Sequence, residues 1–252
     1  MLVHKDVIQV MLLLSALYQP QNQFCIAVDG SSDEKFWNTL KKLASCHSNI
    51  QKAKKIEWCS FEIIEAVFEC VVRLSKSENH WKYIQIMSGV DAPLKTNLET
   101  VRILKALNGS FNTEILPFER YRLHGKSVGH HSTWKARNLG NISIKARNSP
   151  LPLVKSSMSA VFSRKAADFM SSNEVKISGQ TCALLSPLVY YVGAAKEYIV
   201  HKQLKFLKGT VCPDESLWAT IAGNPGRLAM PGGFDANQFL MNKFGKNHKK
   251  WW

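Results

Sequence analysis

With 252 residues, 45% of them hydrophobic and 21% charged, the chain carries enough apolar content to bury a sizeable core and too much to be disordered. Its 33 Lys and Arg against 19 Asp and Glu leave a formal net charge of +14, which favours a polyanionic partner. Nucleic acid, an anionic membrane surface and a phosphate-bearing small substrate all fit that description, and charge alone does not choose among them. The six cysteines include no C-x-x-C and no Cys/His pair at zinc-finger spacing, which argues against a structural zinc site.

The cysteines admit two readings, buried free thiols or one or two disulfides formed in an oxidising compartment. Two sequons, Asn108-Gly109-Ser110 and Asn141-Ile142-Ser143, lean towards the second, with Asn108 and Asn141 as candidate glycosylation sites. No targeting segment is readable. The apolar patch Val10 to Leu14 is too short for a signal peptide or a membrane span. The stretch Thr181 to Ala195, interrupted by Pro187, reads as a buried element.

In chain order, the pattern first predicts an amphipathic helix from Lys5 to Tyr18, with Val7, Val10, Met11 and Leu14 at helical spacing and a stop before Pro20. Phe24 to Val28 reads as a buried strand that delivers Asp29 to its tip. A helix over Asp33 to Ala44, capped by Ser31 or Ser32, follows. Ser60 to Leu74 is helical by pattern, Trp81 to Met87 a strand, Ser88 to Pro93 a turn, and Asn97 to Leu107 a further helix. This alternation predicts an α/β domain with a largely parallel sheet, in which Asp29 and Asp91 sit at carboxyl ends of strands, where such sheets bind ligands. Residues 118–149 are rich in Arg, Lys, His, Gly and Asn and read as a long basic loop. Beyond it, Met158 to Ser163 is a predicted strand. Arg164 to Met170, Glu197 to Leu207 and Ser216 to Ala222 are predicted helices.

Three constellations could carry chemistry. Pro213-Asp214-Glu215 sets two acids at a helix start, where they either complement the helix dipole or supply a general base. Asp29-Gly30 is a strand-end acid that plain turn chemistry would also explain. Ser88 to Thr96 is either a Gly/Pro turn or part of a site around Asp91. No H-E-x-x-H, G-x-G-x-x-G or G-x-x-x-x-G-K-[ST] occurs, so neither metal nor nucleotide binding rests on those motifs.

Six segments appear in one order: Val3-His4-Lys5, Tyr18 to Asn22, Cys25 to Asp29, Ser88 to Asn97, Lys155 to Arg164, and Pro213 to Thr220. Together they resemble successive blocks of the core-2/I-branching β-1,6-N-acetylglucosaminyltransferases, glycosyltransferase family 14. The resemblance implies a GT-A-like fold with a mostly parallel central sheet flanked by helices. It implies inverting, metal-independent transfer of N-acetylglucosamine from UDP-GlcNAc to a hydroxyl of a glycoprotein O-glycan, with no cofactor beyond that donor.

Within the resemblance, Glu215 matches the catalytic base. Val3, His4, Asp29 and Trp58 match nucleotide-sugar contacts, and Glu114, Arg120 and Arg122 match acceptor contacts. Cys25 and Cys70 match a disulfide pair, and Cys46 matches a cysteine whose partner lies upstream of Met1. The resemblance also implies a type II membrane protein of the Golgi lumen whose cytoplasmic tail, anchor and stem are absent here, as is the C-terminal segment holding the basic residues that neutralise the UDP diphosphate. Residues 171–195 read as an insertion, and 1–252 as a single, incomplete catalytic domain. Two other readings stand beside this one: a catalytically inactive sugar- or nucleotide-binding relative, and a basic nucleic-acid-binding protein. Scattered positive charge and the lack of a nucleic-acid motif weigh against the last.

Overall fold

The computed structural model describes residues 1–46, 50–52, 56, 59–124, 148–171 and 199–245. The 171–195 segment, apart from Ser171, and most of the 118–149 loop therefore lie outside the described residues, as do Trp58 and Asn141.

Strands β1 (Leu2–Val3), β2 (Ile26–Val28) and β3 (Ile50–Lys52) form a parallel sheet in the order β1-β2-β3. Strand β4 (Tyr83–Gln85) pairs antiparallel with β8 (Ala160–Ser163), which pairs antiparallel with β5 (Asn112–Thr113) on its other side. A third ladder joins β6 (Leu116–Pro117) to β7 (Val154–Lys155), again antiparallel.

The first two sheets are joined through the residues that continue β4. Leu2 N donates to Met87 O at 2.9 Å and Gly89 N to Leu2 O at 2.7 Å, and Leu2 bridges Ser88 in parallel. On the other side of the same segment, Ile86 N donates to Ala160 O at 2.8 Å. The hydrogen-bonded order across the seam is thus β3-β2-β1-β4-β8-β5. The sequence predicts a largely parallel sheet, but only the β1–β2–β3 side and the Leu2–Ser88 seam are parallel. The alternation itself continues, since the helix over Asn97–Ala106 joins β4 to β5 and these two strands run the same way, but the later strand β8 inserts between them in the opposite direction. Its neighbours come from far along the chain, so alternation alone does not reveal the antiparallel pairing.

Helices follow their local chemistry. In α1 (Val7–Leu17) the Asp6 side chain caps the helix by accepting from Gln9 N at 3.0 Å. Its sequence is apolar nearly all round, so spacing underdetermines its inner face. Val10 and Leu13 are buried, whereas Met11, predicted inward, is 41% exposed. The cap of α2 (Glu34–Cys46) is Asp33, which accepts from Phe36 N at 2.6 Å, and not Ser31 or Ser32. Those serines are engaged by the preceding strand end. Helix α3 (Phe61–Ser75) buries the apolar face read from its sequence, including Ile64, Val67, Phe68 and Val71. Helix α4 (Asn97–Ala106) starts with a capping box between Thr96 and Glu99. Further helices among the described residues are α5 (Arg164–Ser171), α6 (Asp214–Ala222) and α7 (Ala236–Phe244), with an additional helical stretch over 199–207.

The main core gathers α3, β4, β8, α5, the 199–207 helix and α6. Trp218 lies at its centre, stacked on Phe68 with ring centroids 6.1 Å apart and tilted against Phe162 at 5.5 Å. Its indole N–H donates to Met158 O at 2.8 Å, so the largest buried side chain leaves no orphan donor. A second cluster, with Val3, Val10, Ile26, Val28, Phe36 and Leu40, seats α1 and α2 on the parallel strands.

Two disulfides are formed among the described residues. Cys25–Cys70 ties β2 to α3 with Cα atoms 5.6 Å apart, as the resemblance implies. Cys59–Cys212, separated by 153 residues, joins the start of α3 to the segment before α6. The sequence contains no cue that would have paired these two. Among the described residues no helix is long and apolar enough to cross a membrane.

Candidate active site

Glu215 stands in the first turn of α6, one residue after Asp214. The helix begins there because Pro213 sets φ at −62° and needs no N–H partner at a helix start, and the two acids suit the positive end of the dipole. Leu217, Trp218, Ile221 and Ala222 then lock α6 into the core, which leaves the Glu215 side chain one-third exposed. Its backbone is held as well. Glu215 N donates to Cys212 O at 3.0 Å and Ser156 N donates to Glu215 O at 2.7 Å.

The Glu215 carboxylate accepts from Arg122 Nη2 at 2.5 Å. Arg122 belongs to a 3-10 helix over Arg120–His124 and has a side chain only 4% exposed. Its Nε and Nη2 both reach Glu119 Oε2 at 2.8 Å, and Nη1 donates to the carbonyls of Val211 and Cys212 at 3.5 Å. Val211 N donates back to Arg122 O at 2.7 Å. A buried arginine thus bridges two carboxylates and fastens the chain immediately before α6.

Asp214 is buried, with 8% exposure, and its Oδ1 finds no hydrogen-bond partner among the described residues. Burial, aided by the neighbouring Glu215 charge, pushes its carboxyl up to about 6. The buried hydroxyls of Ser156 and Ser216, on either side of Glu215, also lack partners among the described residues. Unsatisfied buried polar groups are uncommon in folded proteins and collect where function outweighs stability. Sequence reading named Asp214 only as a first-turn acid; its burial depends on tertiary packing.

The nucleotide-side candidates gather at the ends of β1 and β2. Val3 is 3% exposed, and its side chain is packed in the core, so only its backbone faces the sheet edge. The fit is close: a Cβ on Gly89 would lie 3.0 Å from Val3 Cγ1. His4 Nδ1 lies 3.5 Å from Asp29 Oδ2, and Asp29 Oδ1 accepts from Ser31 N at 2.7 Å and Ser31 Oγ at 2.6 Å. Ser32 Oγ reaches His4 O at 2.5 Å. Asp91 closes its own turn by accepting from Ser88 N at 2.8 Å.

The strand registers bring these residues to one edge. β1, β2 and β4 run in the same direction and end at Val3, Val28 and the Ser88 turn. β8 is antiparallel to β4, so the residues that precede it, 156–159, emerge at that same edge. Ser156 holds Glu215 there. Glu114, in the link between β5 and β6, arrives at this edge too, 3.6 Å from Lys155 Nζ. Arg120 is half-buried on the same 3-10 helix as Arg122. Asn108 is exposed just after α4, with φ of 46°, whereas Asn141 lies outside the described residues. A cavity of 570 Å³ lies among other residues, with Met1, Cys25, Trp81 and Tyr83 in its lining.

The strand-edge acids and the clamped carboxylate on α6 thus lie along the carboxyl edge of the sheet, the edge at which α/β sheets commonly bind ligands. The chain belongs to the family described as Core-2/I-Branching enzyme, which it matches over residues 1–243. It is 32% identical over 248 residues to a beta-1,3-galactosyl-O-glycosyl-glycoprotein beta-1,6-N-acetylglucosaminyltransferase of Bos taurus, covering 93% of this chain and 51% of the relative. The Homo sapiens protein of the same name is 31% identical, covering 93% of this chain and 49% of that relative. A type 3 protein of that name from Homo sapiens is 27% identical, covering 88% and 46%. The chain spans about half the length of the curated relatives it matches.

Proposed function

We propose that this chain holds the donor and acceptor sites of a glycosyltransferase that moves N-acetylglucosamine from UDP-GlcNAc to a hydroxyl of a glycoprotein O-glycan. The observation that carries the reading is the placement of Glu215: a partly exposed carboxylate, fixed by a buried arginine, on the same sheet edge as Asp29. The names of the relatives support the sugar and the acceptor class.

In this reading Glu215 accepts the proton of the acceptor hydroxyl as its oxygen bonds to the anomeric carbon. The bond from that carbon to UDP breaks on the opposite face, UDP leaves with the electron pair, and the product is inverted. Transfer proceeds without a metal. His4, Asp29 and the backbone of Val3 meet the nucleotide from the ends of β1 and β2, joined by Trp58. Glu114 and Arg120 meet the acceptor. The strand order β3-β2-β1-β4-β8-β5, with parallel strands on the nucleotide side and an antiparallel β8, supports the GT-A-like description. Two disulfides favour an oxidising compartment such as the Golgi lumen.

Glu215→Gln tests the base. Gln keeps the shape but takes no proton, so transfer should fall by ~10²–10⁴-fold while UDP binding persists. Transfer at the wild-type rate would sink the assignment. Binding of UDP by the wild-type protein without any transfer would favour the inactive-relative reading instead.

A further inference from the structure

We propose that Arg122 is the positioning residue of Glu215, acting through the carboxylate and not through the acceptor sugar. The proposal rests on the transferase reading of Glu215 and deepens it.

The geometry argues this from donor accounting. A guanidinium has five N–H donors and no acceptor. In Arg122, Nε is directed at Glu119, Nη2 at Glu119 and Glu215, and Nη1 at the carbonyls of Val211 and Cys212. Five contacts meet five donors, and the side chain is 4% exposed. A sugar hydroxyl arriving at this site finds no donor of Arg122 free and no open path to the group.

What these contacts do is hold the base. Glu215 is a side chain with several rotatable bonds at a helix start, and left alone it would sample several rotamers. The Arg122 fork selects one of them. Glu119 fixes the other branch of the fork, so the guanidinium cannot swing, and the Cys59–Cys212 disulfide fixes the segment whose carbonyls receive Nη1. A chain of constraints therefore runs from α3 through Cys212 and Arg122 to the proton-accepting oxygen. Lysine would not substitute, because a point charge does not grip two carboxylates in a fixed plane.

The experiment is a set of variants, Arg122→Gln, Arg122→Lys, Glu119→Gln and Glu215→Gln, assayed for kcat, acceptor KM and thermal unfolding. Misplacing a catalytic group by about 1 Å can cost ~10²-fold, so Arg122→Gln should lower kcat on that scale and leave acceptor KM within about threefold of wild type. Arg122→Lys keeps the charge and folds more readily, yet kcat should stay down by at least ~10-fold. Glu119→Gln, which touches neither Glu215 nor substrate, should lower kcat in the same direction. In a Glu215→Gln background, Arg122→Gln should cost no further rate.

An acceptor KM raised tenfold or more at unchanged kcat would overturn the proposal in favour of a sugar contact. Multiplying effects of the two substitutions on kcat would overturn it as well, and so would full kcat in Arg122→Lys. If the wild-type protein transfers nothing, the transferase reading is what has failed. The clamp is then judged on the melts of Arg122→Gln, Glu215→Gln and the double variant: non-additive destabilisation supports it and additive destabilisation overturns it.

Discussion

Cys59 and Cys212 are joined by a disulfide although 153 residues separate them, and both adopt left-handed backbone, with φ of 58° and 46°. The bond ties the residue two before α3 to the residue three before Glu215. Left-handed backbone at a non-glycine residue carries local strain, so each end of the bond bears a cost that the rest of the fold offsets.

Replacing both cysteines by serine should therefore loosen the segment that carries the base. Loss of a native disulfide that closes so long a loop typically costs ~2–5 kcal/mol. Urea unfolding of the double variant, beside alkylation and mass analysis of the wild type, checks this. Free alkylation of Cys59 and Cys212 without reductant would show that the bond is absent.

Asp214 makes stability depend on pH. Its carboxyl is raised in the folded protein to about 6 from an ordinary 3.8, chiefly by burial. The folded state therefore holds the proton more tightly than the unfolded chain. The associated stability is fully present below pH 4 and is lost as pH rises through 6. Asp214→Asn does not titrate, so between pH 4 and pH 7 its stability should improve relative to wild type by ~2–3 kcal/mol. Chemical unfolding at both pH values reads the difference directly. A pH-independent difference would mean that Asp214 ionises in the fold as easily as in water.

Trp218 shares α6 with Glu215 and anchors that helix in the core. Trp218→Ala removes the stacking on Phe68 and Phe162 and leaves Met158 O without its indole donor. Such a truncation should cost ~3–5 kcal/mol. Trp218→Phe, which keeps most of the apolar volume, should cost less than half as much. Equal losses in the two variants would place the hydrogen bond, not the packing, in control.

Gly232 approaches the turn after α4 more closely than any other residue type allows. Its φ is 74°, and a Cβ there would lie 2.0 Å from Gly109 O, a backbone atom that cannot swing aside. The same residue's carbonyl accepts from Phe111 N at 2.7 Å. Gly232→Ala should lower stability by at least ~2 kcal/mol, since it adds both a clash and left-handed strain. A melt unchanged within error would show that the two turns separate freely.

Much of the helical content was legible from the chain. Ile63, Ile64, Val67, Phe68 and Val71 recur at helical spacing and α3 buries them, because a 3.6-residue repeat of apolar groups has one stable way to leave water. The short strands β3, β5, β6 and β7 and the helix α7 were not legible. Two or three residues in a ladder carry too few side chains to set a period, and their pairing comes from partners far along the chain.

The candidate site divides in the same way. The chain alone marked Glu215, Asp29 and Asp91, since a helix start and strand tips are local events whose residues stand side by side in sequence. The ordered blocks that resemble a known family pointed to the reaction class and to Cys25–Cys70. Only the tertiary structure decided that Asp214 is buried, that Arg122 reaches Glu215, and that Cys59 meets Cys212. Burial, ion pairing and cross-linking depend on distances between residues 90 or more positions apart, and no periodicity or spacing along the chain encodes those distances.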